Sequence, residues 1–378
     1  MKIVVAGYIV GYPVGGMTWH HLHYLLGLHA LGHDLTYLED GAFLPPFDPA
    51  TGACGRAEYG IDHLRRTFAA HGLAIPWHYR FGEVIAGLSV DQMQARLKQA
   101  DLLICVSGVT PLDWYHRPKR TLVIDTDPVF TQLRMQGDAD FLAYYRSFTH
   151  VATFGRSIGT PLSPLPTFGI DWIGTNQPVC LDQFPVRPAT TRRFTTIGKW
   201  EHAAARAVEF NGRTYASSKS VEWMKLLPLP GRVGAWEFRL AMEKTPPEVR
   251  RQFEATGWHF DDAHQASRDT QAYRRYIQES AGEITVVKQI YAGLPSGWFS
   301  DRSACYLASG RPVVTQSSGF EQWLPTGDGL FSFGSIDEAV AALGAIDGDY
   351  ARHSVGARRI AERHFDAAGV LSELLSHL

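Results

Sequence analysis

The order of apolar and amphipathic segments predicts an α/β protein made of two doubly wound, parallel-sheet domains that face each other. Three observations carry this. Near-continuous apolar runs such as KIVVAGY (2–8) and LLICVSG (102–108) suit strands covered on both faces of a parallel sheet. These runs alternate with segments of helical period, the pattern of repeated βαβ units. The alternation pauses in a Pro-, Gly- and Thr-rich stretch (155–193) and restarts at 194. A chain of 378 residues also has the length of two domains at roughly 100–200 residues each.

The first βαβ unit runs from strand 2–8 through a loop carrying Gly11, Pro13, Gly15 and Gly16. It continues into the helix MTWHHLHYLLGLHALG, with Leu22, Leu25, Leu26, Leu28 and Leu31 along one face. Gly32 ends that helix and DLTYLED (34–40) is the next strand. Helices over 57–72 and 90–100 and strands at 102–108, 120–127 and 149–154 continue the pattern. The second series holds strands at 194–200, 236–242, 283–289 and 311–316. Its helices fall near 218–227, over 246–256 (opened by Pro246 and Pro247), 269–279 and 301–309, with helical pattern again at 336–345 and 349–377. Ligands of open α/β sheets bind beyond the carboxyl ends of the strands, so the space between the domains is the expected site.

Composition narrows the partners. Net charge is −2 and no long basic run is present, which gives no reason to expect nucleic acid or an anionic membrane surface. No stretch approaches the roughly 18 apolar residues of a membrane span, and the opening MKIVVAGYIVGYPVGG reads as a strand, not a signal peptide. Cys54, Cys105, Cys180 and Cys305 are far apart without a CxxC, which argues against structural zinc and a disulfide framework. A cytoplasmic protein is the resulting expectation.

Three places carry candidate chemistry. Gly15 and Gly16 precede a helix, where backbone can approach a ligand and free N–H groups favour negative charge. His20 stands in the first turn, placed to act as a general base or to hydrogen-bond a sugar, whereas His21 and His23 read as packed. At the end of strand 120–127, Asp127 either accepts a proton or caps a helix beginning at Pro128; Asp125 is the weaker candidate. The third place is the segment from Lys288 through PSGWFSDRSACYLASGRPVVTQ. There Ser300 reads as the N-cap, and the helix start with Arg302 and Ser303 forms an anion site suited to a diphosphate. Lys199 and Lys288, at the ends of their strands, add positive charge for a departing diphosphate. Trp298 and Phe299 either stack on a base or pack under the loop. Trp19, Trp114, Tyr115 and Phe130 offer aromatic surface on the first domain.

Gly15, Gly16 and His20, followed by Gly32-His33 and a strand, resemble the first unit of the GT-B fold glycosyltransferases, particularly glycosyltransferase family four. The segment ASGRPVVTQSSGFE, with Ala308, Gly310, Pro312, Val313, Val314 and Gly319, resembles that family's A-C-G-x-P-V-V turn and its following glycine loop. The resemblance implies two Rossmann-like domains: an acceptor domain over 1–185 and a donor domain over 194–360, with residues 361–378 crossing back to the first. It implies sugar transfer from a nucleoside diphosphate sugar to a hydroxyl of a small molecule or glycan, without metal or bound cofactor. Gly15, Gly16 and Gly319 then join Lys199, Lys288 and Ser300–Ser303, Asp301 among them, on the donor. One departure stands out. The Glu-x7-Glu pair of retaining members falls on Gly297 and Cys305, and Asp301 and Glu321 are the carboxylates that remain nearby. The family's basic pair is represented by Lys199 alone. An epimerase or a non-catalytic sugar-nucleotide binder of the same fold are the alternative readings.

Overall fold

The computed structural model describes residues 1–378 except 50, 51, 53, 202–206 and 235. The first sheet contains β1 (Lys2–Ala6), β2 (Asp34–Asp40), β3 (Trp77–Phe81), β4 (Val84–Gly87), β5 (Leu102–Val106), β6 (Thr121–Asp125), β7 (His150–Thr153) and β8 (Trp172–Gly174). Their spatial order is β4-β3-β2-β1-β5-β6-β7-β8, parallel throughout except for the β3–β4 hairpin. In the second half lie β9 (Arg193–Lys199), an antiparallel hairpin of β10 (Ala207–Phe210) and β11 (Arg213–Ala216), then β12 (Glu237–Glu243), β13 (Trp258–Phe260), β14 (Gly282–Thr285), β15 (Val313–Gln316) and β16 (Leu330–Phe333). The second sheet is wholly parallel, in the order β13-β12-β9-β14-β15-β16. Both sheets are doubly wound, as the alternation predicts. The strand order reverses between β1 and β5 in one and between β9 and β14 in the other. Each reversal opens a crevice above the strand ends.

The helices of the first half are α1 (Gly15–Ala30), α2 (Glu58–Ala70), α3 (Val90–Gln99), α4 (Phe130–Gly137) and α5 (Ala139–Arg146). Those of the second are α6 (Ser220–Lys225), α7 (Pro247–Ala255), α8 (Ala263–Ser267), α9 (Thr270–Glu279), α10 (Gln289–Gly293), α11 (Asp301–Ala308), α12 (Ile336–Gly348), α13 (Tyr350–His364) and α14 (Ala367–Ser376). The single terminal helix expected over 349–377 is two, broken where Asp366 caps α14 through the Gly369 N–H. The hairpin β10–β11 and the β3–β4 pair left no periodic signal and were not expected.

α1 is the hub. A helix on a sheet surface shows one apolar face, but α1 buries Trp19, His20, His21, Leu22, His23, Tyr24 and Leu25 in succession because it is covered on several sides. It meets β2, α9 and α14, so elements of both halves pack against it. Glycine makes the approach possible. A Cβ on Gly27 would lie 2.6 Å from Leu371 Cδ1 of α14, and one on Gly15 would lie 2.3 Å from the Asp269 carbonyl oxygen at the start of α9. Among the described residues no helix is long and apolar enough to cross a membrane.

Candidate active site

The carboxyl ends of the two sheets enclose a cleft of about 480 Å³. Its first-half wall comes from the loops after β1, β2 and β5 and the start of α1: Tyr8, Tyr12, Val14, Gly16, Met17, Leu44 and Val109. The opposite wall carries Lys199 after β9, Lys219 before α6, Glu243 at the end of β12, Lys288 after β14, and Asp301 and Arg302 from α11.

Three of the four cations on that wall already have carboxylate partners. Lys199 Nζ lies 3.5 Å from Glu243 Oε2, and Lys288 Nζ lies 3.2 Å from Asp127 Oδ1. The buried Arg302 side chain donates to Glu283 Oε1 (2.5 Å), to the Ile197 carbonyl (2.8 Å) and to Thr285 Oγ1 (2.9 Å). Lys219 has no ion-pair partner among the described residues. Burial, the neighbouring Arg302 and then Lys288 pull its pKa well below the ordinary lysine value, outweighing Glu283 and Asp301. Desolvation likewise lowers that of Lys199, with Glu243 opposing.

Beside the cations, His20 and Asp301 meet across the seam between the halves. Asp301 Oδ2 lies 3.3 Å from His20 Nδ1, while its Oδ1 accepts from the Arg302 N–H (2.8 Å). Burial raises the Asp301 pKa, but the hydrogen bond and charge of His20, with help from Arg302, more than reverse this and hold it at about 2. The His20 side chain is only 5% exposed, whereas that of Asp301 is 38% exposed, so the carboxylate is the face this pair shows to the cleft. The other ring nitrogen, Nε2, is 3.4 Å from Ser107 Oγ, which in turn lies 2.8 Å from Thr126 Oγ1. Ser107 holds a left-handed backbone (φ 69°) at the end of β5, a conformation that costs a non-glycine residue about 1–3 kcal/mol and collects at functional turns.

The expected residues divide. Gly16, Lys199, Lys288, Asp301 and Arg302 line the cleft; Gly15, His20, Asp127, Ser300, Ser303 and Gly319 do not. Several expectations are corrected. Arg302 is tied down by Glu283 and two further acceptors, so it is not a free phosphate cation. Ser300 makes no side-chain cap; the Asp301 carboxylate, in the first turn of α11, accepts from the Arg302 N–H, and a carboxylate there opposes a phosphate. Ser303 is fully buried with its hydroxyl unpartnered among the described residues. Gly15 serves packing on α9, and the Gly16 N–H donates to Ser267 Oγ (3.2 Å). Gly319, at φ 87°, forms a turn against Pro295 away from the cleft. Asp127 caps nothing with its side chain: it accepts from Lys288 and from the Tyr291 hydroxyl, bridging the halves. Phe299 packs between Phe320 and Phe365, and Trp298 stacks on Tyr291. Trp19 is buried and donates to the Thr270 carbonyl.

Lys219, Tyr8 and Ser107 were missed. For Lys219 a signal existed: a lysine just ahead of a helix opposes the helix dipole, and such local conflicts mark functional positions. Nothing in the string VSG distinguishes Ser107, whose role depends on a histidine far away in sequence.

No protein-family model and no curated protein sequence matches the chain. Its fold is that of the GT-B glycosyltransferases, two facing Rossmann-like domains. An α-glucosyltransferase in complex with UDP and a 13-mer DNA containing a central A:G mismatch superposes with a TM-score of 0.61 at 11% identity, over 99% of this chain and 98% of that one. Sucrose-phosphate synthase from Thermosynechococcus elongatus gives 0.56 at 11% identity, covering 100% and 99%. Anabaena HepE in complex with UDP and glucose gives 0.55 at 13% identity, covering 100% of both chains.

Proposed function

We propose that the protein is a glycosyltransferase acting on a nucleoside diphosphate sugar. The observation that carries this reading is Lys219, a cation with no carboxylate of its own, facing the cleft beside Lys199 and Lys288. A partly buried amine pushed toward its neutral form regains its proton when a ligand supplies negative charge, and a diphosphate does so. The proteins of this fold named above bind UDP, in two of the three cases. The acceptor hydroxyl enters from the first-half wall. Its oxygen bonds to the anomeric carbon of the donor, the bond from that carbon to the phosphate oxygen breaks, and the diphosphate leaves with the electron pair. The proton passes to the Asp301–His20 pair: Asp301 faces the cleft, and His20 backs its carboxylate at 3.3 Å. The lysines neutralise the leaving group, so the reaction is written without a metal. The apolar wall leaves room for a second substrate, which favours transfer over epimerisation.

The test is a calorimetric titration with UDP, GDP, TDP and ADP, repeated on Lys219→Ala. Binding of one nucleotide that weakens about tenfold or more in the variant supports the reading. A chain that binds none of the four, or a variant that binds as before, removes it.

A further inference from the structure

The walls of the cleft differ in a way that bears on the acceptor. The second-half wall holds every charged residue of the lining; the first half contributes two tyrosines, aliphatic side chains, Met17 and a glycine. Burial, reinforced by nearby Asp301, keeps the Tyr8 phenol neutral at any physiological pH, although a hydrogen bond with Ser107 opposes it. Tyr12 is stacked on Phe47 at 5.6 Å and 14° between ring planes, which fixes its orientation.

This apolar surface continues outward. Phe43, next to Leu44 of the wall, is 58% exposed, and Trp114, on the loop that begins at Val109, is 66% exposed. No other aromatic side chain among the described residues stands out as exposed; the remaining large exposed groups are aliphatic or methionine. The two loops are joined through Tyr144, whose ring meets the edge of Phe43 and whose hydroxyl donates to the Thr110 carbonyl (2.8 Å). The nearest cation, Arg80, lies 4.6 Å over the Trp114 ring, but its charge is matched by the buried Asp40 at 2.8 Å. Single exposed apolar residues are ordinary, but these two exposed aromatics stand on joined loops that each also supply a residue, Leu44 or Val109, to the cleft wall, and so extend that wall.

We infer that this wall receives an uncharged acceptor whose hydroxyl is carried on an apolar, ring-bearing body. The inference rests on the glycosyltransferase reading for the reaction, but not for the binding. A charged acceptor would lose hydration against Val14, Met17, Leu44 and Val109, and Lys199, the cation that reaches this wall 4.5 Å over the Tyr12 ring, is already balanced by Glu243. An oligosaccharide needs many convergent donors and acceptors, and this wall offers chiefly the Tyr8 hydroxyl. A planar ring gains area against Met17 and Leu44 and packs outward on Phe43 or Trp114, while the Tyr12 ring, which already carries Phe47 and Lys199, forms the floor beside it. Its hydroxyl then points toward Asp301, where the proton departs.

Calorimetry on the full chain, with saturating UDP, tests this with 4-methylumbelliferone, maltotriose and glucuronate as probes. Expected is measurable binding of 4-methylumbelliferone, at least about tenfold tighter than either sugar. Phe43→Ser and Trp114→Ser should each weaken it about threefold to tenfold while UDP affinity stays as it was. With a donor the chain accepts, the same variants should raise KM for this acceptor more than they lower kcat. Failure of 4-methylumbelliferone to bind, tighter binding of maltotriose or glucuronate, or indifference to both substitutions would each overturn the inference. A separate titration of the same chain with UDP alone distinguishes the outcomes: UDP binding leaves the donor reading standing when the acceptor inference falls.

Discussion

The crevices over β1/β5 and over β9/β14 arise from the same architectural event, a reversal of strand order, yet their chemistry is opposite. The loops after β1 and β5 supply Tyr8, Tyr12 and Val109; those after β9 and β14 supply Lys199 and Lys288. The fold decides where loops meet, and loop residues decide what they do there. The difference also assigns tasks: a polar wall suits a diphosphate, and an apolar wall suits a partner that brings little charge. Between them, His20 comes from the apolar half and Asp301 from the charged half, so this ion pair exists only when the halves are together.

The largest effect should come from breaking that junction. His20→Ala should lower kcat by about 10²–10⁴-fold, the usual scale of a lost general base, while affinity for the nucleotide found by titration changes less than about threefold. Steady-state kinetics beside calorimetry checks it; unchanged turnover would remove His20 from the mechanism. On the charged wall, Lys219→Ala should weaken binding of the same nucleotide by about 10–100-fold, or about 1.4–2.7 kcal/mol. Lys199→Ala should cost less, because Glu243 already balances its charge. The lowered Lys219 pKa gives a further signature. Diphosphate favours the protonated amine, so binding takes up protons and affinity falls as pH rises. Calorimetry in buffers of different ionisation enthalpy reads that uptake directly.

Legibility in the sequence followed from how local each signal is. Buried parallel strands write themselves as apolar runs, so both sheets were readable; the hairpin β10–β11, with its exposed, mixed residues, was not. Two helix starts looked alike as anion sites, and packing treats both differently. At α1, glycine is needed because Tyr273 and Asp269 press on it; at α11, the first residue Asp301 accepts from the Arg302 N–H and turns to His20. Neither contact is local, so neither is written in the spacing of residues. Lys199 and Lys288 were found because strand ends are local; the lack of a partner for Lys219 is a fact of three dimensions.

A smaller effect tests the seam itself. Gly15→Ala would place a methyl 2.3 Å from the Asp269 carbonyl oxygen and 2.8 Å from Tyr273 Cβ, where rigid backbone must move. A loss of about 1–3 kcal/mol of stability is expected, read from urea denaturation midpoints. An unaltered midpoint would show that the halves are not pressed together at α9.

The subtlest prediction concerns what holds the apolar wall in place. Glu39, buried at the end of β2, accepts from the N–H groups of Val10 (2.9 Å) and Gly11 (2.6 Å) and from the Tyr37 hydroxyl (2.7 Å). It thereby tethers the loop that presents Tyr12 and Val14. Burial pushes its pKa up to about 7, although these hydrogen bonds pull the other way. An unfolded glutamate titrates near about 4.3, so between about pH 4 and pH 7 the folded chain binds the extra proton. Stability contributed by the protonated form is therefore complete below about pH 4 and lost as pH rises toward 7. Asp125, raised to about 6 by burial against the donors Thr131, Gln132 and Thr153, adds a slope of the same sign. Glu39→Gln cannot ionise, and it also loses one acceptor at every pH, so its absolute stability says little. The slope is diagnostic: urea midpoints of the native chain should fall from about pH 5 to pH 7.5 more steeply than those of Glu39→Gln. Parallel slopes would mean that Glu39 keeps its charge when buried, held by the loop amides alone.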